Sequence, residues 1–434
     1  VPVPAPTAVP IPYVVSGSAA QPFGLFVVSG LDPYAEPAHS HMIDFTVQRE
    51  LPHRMILEAG YIGRISRNLP QDIAYNAADY LMKDQASGQT YAQAFDAVAQ
   101  ALRSGAAVTP QPFFENQIGA ARCPGFTSCT AMVASQDKTD LINGSINNFS
   151  LNEFNRVTPV PVDNIQSFQA YGITDHGFSE YHAGFLSLNK SFSRGLQFQA
   201  NWTWSHAIGN QGVDQQNGSS ANSPYNLNLD KASESFDRRH VLNLWWYYEL
   251  PFGSTIAHSS GALNRIIGGW ATSGIFSYYT GVPMHITANG DYGAYESNGT
   301  AAICSADLLG LESEHHNVAG SSGIGTSGAA HLNLFADPAA VYNSCSRPLL
   351  SVDNRIPFDQ LRALPQWNTD LSLLKNIPIT EQVKFSFSAE FLNLFNHVAF
   401  ANPTLNLNSK STFGALTRQS NLPRRVLLGA KITF

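Results

Sequence analysis

Apolar and polar residues alternate with a period of two along several unusually long stretches. Leu196, Phe198, Ala200, Trp202 and Trp204 alternate with Gln197, Gln199, Asn201, Thr203 and Ser205. Val383, Phe385, Phe387, Ala389 and Phe391 alternate with Lys384, Ser386, Ser388 and Glu390. Met55, Leu57, Ala59 and Tyr61 repeat the pattern, as do Ile43, Phe45 and Val47. At the far end Val426, Leu428, Ala430, Ile432 and Phe434 share one face, and Arg425, Leu427, Gly429, Lys431 and Thr433 the other. Successive side chains of a strand point to opposite faces, so each run reads as a strand with one apolar face. Less regular strands are expected over 181–192, 239–250, 269–279 and 367–376. The total is about nine, mostly ten residues or longer. Ordinary strands centre near 5–6 residues, whereas membrane-spanning ones need about 9–11.

A soluble sandwich would show the same alternation, and the connections decide between the two. Leu51–Pro52, Ser193–Gly195 and Ile377–Gln382 are short, and Pro251–Gly268 is moderate. Between them lie long gaps at about 66–178, 210–236, 285–365 and 397–423. Short and long alternate throughout, as in transmembrane barrels with tight periplasmic turns and long extracellular loops. The expected fold is all-β, an antiparallel transmembrane β-barrel, preceded by an extended Pro-rich segment over 1–40.

Composition strengthens this. Charged residues make up 13% of the chain, and the net charge is −7 without a basic block. Soluble domains carry roughly 25% charged residues. A nucleic-acid binder and a highly charged disordered chain are thereby excluded. No run of 18 apolar residues exists, which excludes a helical membrane protein. Low charge suits strands facing lipid, where a charge costs about 2–4 kcal/mol at the midplane. Trp202, Trp204, Trp245, Trp246, Trp270 and Trp367 lie in these strands, as interfacial girdles require.

The run Ser179–Ala183 through Gly195–Ser205 resembles the C-terminal barrel of Oar-like, TonB-dependent outer-membrane transporters. So do Asp237-Arg238-Arg239-His240 followed by Glu249–Gly253, Gly269-Trp270 leading to Tyr279–Pro283, and Phe391–His397. Gln48–Leu51, Gly60–Gly63 and the closing strand match too, so the resemblance covers roughly residues 31–434. The resemblance implies a small β domain, a plug and further strands elsewhere in the same protein. Its barrels have 22 strands. The chain is therefore expected to be a C-terminal fragment with about 9–10 strands, forming an open curved sheet; a complete ten-stranded barrel is the alternative. The opening Val-Pro-Val-Pro, without initiator Met or signal segment, gives the same expectation of a processed or partial chain.

The resemblance implies energy-coupled uptake of a solute across the outer membrane of a Gram-negative-type bacterium. Partners would be outer-membrane lipid, the missing plug and strands, the barrel-assembly machinery and the inner-membrane energy-coupling complex. A surface adhesin and a passive porin are the other readings. Gln197, Gln199, Asn201, Lys384, Ser386 and Glu390 are expected to face the lumen. The strand Val426, Leu428, Ala430, Ile432, Phe434 is expected to be the assembly signal. Deleting Phe434 should lower outer-membrane levels of the full-length protein, and unchanged levels would contradict that role.

In the first long loop, Thr90 and Gln93 have capping-box spacing, with Tyr91, Phe95, Val98 and Leu102 on one face. One helix is expected over about 91–103, ended by Gly105. Cys123 and Cys129 lie in one long loop, Cys304 and Cys345 in another. Two loop disulfides, 123–129 and 304–345, are the favoured pairing of three in an exported chain. No enzyme, cofactor or metal is expected. Gly323–Gly328 fits GxGxxG, but in a Gly/Ser-rich loop without a preceding strand. Glu312, Glu314, His315 and His316 read as solvated loop. Asp237-Arg238-Arg239-His240 marks a strand start, with charges that pair at the lumen or rim rather than do chemistry.

Overall fold

The computed structural model describes residues 27–74, 78–156, 169–210, 221–252, 267–288, 301–304, 332–352, 361–380 and 382–434. Nine long strands form one antiparallel meander, each hydrogen-bonded to its sequence neighbours. They are β2 (His39–Leu51), β3 (Met55–Ala74), β4 (Gln169–Ser193), β5 (Leu196–Gly209), β7 (His240–Glu249), β8 (Trp270–Tyr279), β11 (Gln366–Pro378), β12 (Lys384–Leu392) and β13 (Arg425–Thr433). Each coincides with a run of alternating residues or a less regular predicted strand. Two short strands extend the sheet at its loop end: β1 (Val27–Leu31) runs parallel to β4, and β6 (Ala232–Ser233) pairs with β5. A separate ladder joins β9 (Pro283–Met284) to β10 (Leu361–Arg362).

The sheet is open. β2 and β13 form its edges and do not pair with one another. Strands reach further into the loops than the sequence suggested: β3 and β4 narrow the first long connection to 75–168. The expected 1–40 segment is divided, since β1 and the start of β2 fall inside it, and residues 1–26 lie outside the described residues.

Tight turns join the strands at one end. Arg194 (φ 52°) and Gly195 (φ 76°) are both left-handed, as the two-residue turns that match strand twist require. A Cβ on Gly195 would stand 3.1 Å from the Glu249 carbonyl of the next hairpin, which also favours glycine. His53 and Arg54 make the same left-handed pair before β3.

Register assigns every side chain to a face, because directly paired residues point the same way. One row reads Gln48, Glu58, Ser187, Asn201, Asn243, Ser277, Asn368 across seven strands, all polar. The adjacent row on the opposite face reads Val47, Ala59, Leu186, Trp202, Leu242, Tyr278, Trp367. Further along, that apolar face carries Phe385, Phe387 and Phe391 beside Ile432, Ala430 and Val426. It is open to its surroundings: Phe45 is 65% exposed, Val426 52% and Leu428 70%. An apolar surface of this extent is what lipid covers.

The rows also run obliquely. The row through Leu51, Met55, Lys190 and Phe198 continues to Leu371, Phe391 and Val426. It starts beside the tight turns and ends at the loop ends of β12 and β13. Strands staggered in this way are tilted, as closure into a barrel demands. At the tight-turn end of the apolar face, Lys190 donates from Nζ to the His53 carbonyl at 3.1 Å and Lys375 to that of Gly268. Each ammonium thereby turns toward the polar end of its hairpin while its stem covers apolar surface.

Candidate ligand-facing surface and loop cap

The six residues predicted to face the lumen, Gln197, Gln199, Asn201, Lys384, Ser386 and Glu390, all fall on the polar face. Their rows contain Gln197, Tyr247, Ser273, Ser372 and Glu390, then Gln199, Trp245, Ile275 and Asp370. Tyr247, Ser273, Ser372 and Glu390 of the first row and Trp245, Ile275 and Asp370 of the second line a shallow hollow of about 440 Å³. Polar groups on this face are tied together. Trp245 Nε1 donates to Gln199 Oε1 at 3.0 Å, Gln199 Nε2 to Asn201 Oδ1 at 3.4 Å, and Ser187 Oγ to the same Asn201 oxygen at 2.7 Å. Asp370 accepts from Asn368 Nδ2 and from the Asn393 amide. Side chains locked to their neighbours present a fixed polar wall rather than a mobile brush.

At the loop end, Asp237 is 2% exposed and holds several partners. It accepts from Arg362 Nη2 at 2.5 Å and from the Ala207 amide at 2.7 Å, and lies 3.4 Å from Arg239 Nε. Arg362 also donates to the carbonyls of Asp237 and Gly281, and Arg238 to that of Thr280. The Asp237–Arg239 charges thus pair at the rim, as the sequence suggested; Arg362, 125 residues away, gave no local signal.

The long connections fold into a cap. Among the described residues of the first, five helices occur where one was expected: α1 (Tyr91–Ser104), α2 (Pro112–Ile118), α3 (Cys129–Gln136), α4 (Lys138–Asn143) and α5 (Ile146–Arg156). The capping box of α1 is formed, and Gly105 ends the helix at φ 70°. The other four run 6 to 11 residues, at most about three turns, and leave little periodicity to read. Tyr91, Phe95, Phe113, Phe114 and Phe149 form their core, joined by Leu229, Ala301 and Leu350 from later loops. Ile286, Leu334, Phe335, Leu405 and Phe413 make a second core between the last two long loops. A further helix, α6 (Pro338–Ser344), lies there.

Polar ties join the loops. Buried Asp96 on α1 accepts from the amides of Leu350 (3.2 Å) and Ser351 (2.7 Å). Burial pushes its carboxyl above the usual range. Arg347 donates to the Asn143 carbonyl at 3.1 Å and to Asn408 Oδ1 at 2.6 Å, linking three loops.

The structure joins Cys123 to Cys129 and Cys304 to Cys345, spanning 6 and 41 residues. Loop-closure entropy makes the longer bridge worth about 4 kcal/mol and the shorter about 2 kcal/mol. Replacing Cys304 and Cys345 together by Ser should therefore destabilise the cap about twice as much as replacing Cys123 and Cys129. Thermal unfolding of both double variants checks this, and equal losses would contradict it.

Burial pushes two carboxyls in the β5–β7 connection above their ordinary range. Burial raises Glu234 to about 7, helped by the neighbouring Asp237 and opposed by a hydrogen bond from Ser179. Burial raises Asp230 to about 6 against hydrogen bonds from Asn222. A raised folded-state pKa gives stability that is full below the unfolded value and lost as pH rises through the folded one. Resistance of this loop to proteolysis should fall between about pH 4 and pH 7. Glu234→Gln should remove the upper part of that fall and leave the loop firmer than wild type at pH 8. A pH-independent wild type would contradict this.

The GxGxxG run at 323–328 and the Glu312–His316 cluster lie outside the described residues. Among the described residues, no group of three or more His, Cys, Asp or Glu could hold a metal. No helix among them is long and apolar enough to cross a membrane, which says nothing of strands.

The model of one protein family matches residues 2–427, and its description is outer membrane beta barrel domain. The chain belongs to this family. The apolar face of the sheet accordingly meets lipid, and the outer membrane is where the protein resides. No curated protein matches the chain. Among solved structures, the outer membrane transporter YddB from Escherichia coli is 9% identical, with 94% of this chain and 34% of that one covered and a TM-score of 0.38. The ferric-catecholate import receptor Fiu from E. coli K12 is 10% identical over 95% of this chain and 30% of that one, at a TM-score of 0.34. The copper transporter OprC is 7% identical over 94% and 34%, at 0.32. The barrel chain thus spans about a third of the length of these proteins.

Proposed function

We propose that this barrel segment is part of a TonB-dependent receptor that takes up a solute across the outer membrane by an energy-coupled route. The polar face forms lumen wall against a plug supplied by another part of the same protein, and the loop cap makes first contact with the solute. The observation that carries the reading is the seven-residue polar row, backed on the other face by an unbroken apolar one. Its tied side chains suit a lumen that receives a packed plug. Sequence resemblance supplies the energy coupling and the partners, namely the inner-membrane complex and the machinery that reads strand β13.

Strand parity supports completion by further strands. β2 and β13 both run from the loop end to the tight-turn end, because nine meandering strands leave the first and last parallel. Bacterial outer-membrane barrels are antiparallel with an even strand count. Closure in that manner needs an odd number of additional strands between β2 and β13. A second copy in the same orientation would again meet edge to edge in parallel.

Conductance of the full-length protein in planar bilayers tests the reading. A plugged lumen gives no steady current until denaturant displaces the plug. Steady open-pore current from the outset would contradict it and favour a porin.

A further inference from the structure

At the loop end of β3 and β4, stretches far apart in the sequence meet around a hollow of about 430 Å³. Small-molecule sites run from about 300 to 1,000 Å³. The walls come from Asp32 after β1, Ile73 in β3, Thr174 and His176 in β4, and Tyr225 and Leu227 in the β5–β7 connection. Each stretch is pinned. The Asp32 amide donates to the Ile173 carbonyl at 3.0 Å, and the Ala221 amide to that of Asp72 at 2.9 Å. The Tyr80 and Ser223 hydroxyls share a buried bond of 2.6 Å, and the Tyr225 amide donates to the same Ser223 oxygen at 3.2 Å. The Tyr225 ring meets Tyr80 edge to face at 5.2 Å, yet the residue stays 47% exposed. The hollow is therefore built by contacts within the chain and does not wait for a ligand to form it.

Its polar groups have acceptor capacity left over. Asp32 Oδ1 accepts from the Tyr34 amide at 2.9 Å, and Oδ2 has no partner among the described residues. His176 Nδ1 faces Asp175 Oδ1 at 3.4 Å. A carboxylate only accepts, so the neutral imidazole keeps its proton on Nδ1 and leaves Nε2 as an acceptor. Thr174 gives its hydroxyl proton to the Gln71 carbonyl at 3.0 Å, and its oxygen can then only accept. These acceptors stand beside the apolar surfaces of Ile73, Leu227 and Tyr225, and no Lys or Arg is among the described residues that line the hollow. A ligand that fits must bring several donors and an apolar face, and it cannot be an anion. A sugar ring meets both demands, with hydroxyls around its edge and C–H groups on its faces. A simple ammonium brings donors without the apolar face.

We infer that this hollow binds a neutral mono- or disaccharide, with Asp32, Thr174 and His176 accepting from its hydroxyls and the Tyr225 ring against its C–H face. The inference deepens the uptake reading and rests on it for the fate of the sugar: the loop region that meets the solute first selects a carbohydrate. Binding is measured without transport, so its failure and the failure of the plugged-lumen reading are separate results.

Full-length protein in mild detergent is screened by saturation-transfer NMR against glucose, galactose, mannose, xylose, N-acetylglucosamine, maltose, cellobiose and lactose, with ethanolamine and spermidine as cations. At least one sugar should bind with a Kd of about 1 mM or tighter. Asp32→Asn keeps an oxygen for the Tyr34 amide and should weaken that sugar about tenfold, as should Tyr225→Ala. Binding of none of the sugars, binding that survives in both folded variants, or tighter binding of the cations would overturn the inference. Wild-type protein gives a second measurement that needs no variant. The His176 side chain is 56% exposed, and the bound sugar should shield it from imidazole acylation while exposed His53 at the tight turns stays reactive. Absence of shielding at His176, or equal shielding by ethanolamine, would equally overturn it.

Discussion

Leu244→Arg should lower the unfolding free energy of the membrane-inserted protein by about 2–4 kcal/mol, whereas Asn243→Arg, one residue away, should be tolerated. Leu244 sits midway along β7 on the apolar face, paired with Ala200 and Phe276. An arginine there must enter hydrocarbon or drag water with it. Asn243 lies on the opposite face, in the polar row between Asn201 and Ser277, where a guanidinium finds acceptors. Equilibrium unfolding in lipid vesicles measures both. Equal effects, or the reverse order, would mean that the faces are assigned the wrong way round.

Asp237→Ala should cost about 3–5 kcal/mol, because it leaves Arg362 without its charge partner inside the rim. Arg362 is 19% exposed in its side chain and holds Asp237 at 2.5 Å. The variant also strips the acceptor from the Ala207 amide, at the end of β5. Removing both members, with Asp237→Asn and Arg362→Met, should cost less than the single change, since the Arg362 charge then leaves with its partner and only the more exposed Arg239 loses one. Denaturant unfolding of both variants decides it; a negligible loss in Asp237→Ala would show that water already screens the pair.

The sheet was legible in the sequence because membrane strands follow one rule, alternation over nine or more residues, and lipid enforces it on every strand. Trp202 and Asn201 announce their faces without any knowledge of their neighbours. Strand ends were less clear: in β3 and β4 the alternation dissolves near Leu69 and Gly177, where the register shifts. The cap was largely illegible. Its helix α1 carried a capping box and an apolar stripe, but α2 through α5 are too short for periodicity and are stabilised by contacts with Leu229, Ala301 and Leu350. The ties from Asp96 to Ser351 and from Arg347 to Asn143 span 255 and 204 residues. No local pattern encodes such contacts.

Hydrogen exchange of the edge strands, in the full-length protein within its membrane, tests most directly whether this sheet is one wall of a larger closed barrel. A strand edge left open in lipid strands backbone groups at several kcal/mol each, so closure should bond the outward amides of β2 and β13. These amides should be protected as strongly as those of β7 and β8. Exchange along β2 and β13 at the rate of the loops would contradict it, and would leave the nine-stranded sheet as the whole of the structure.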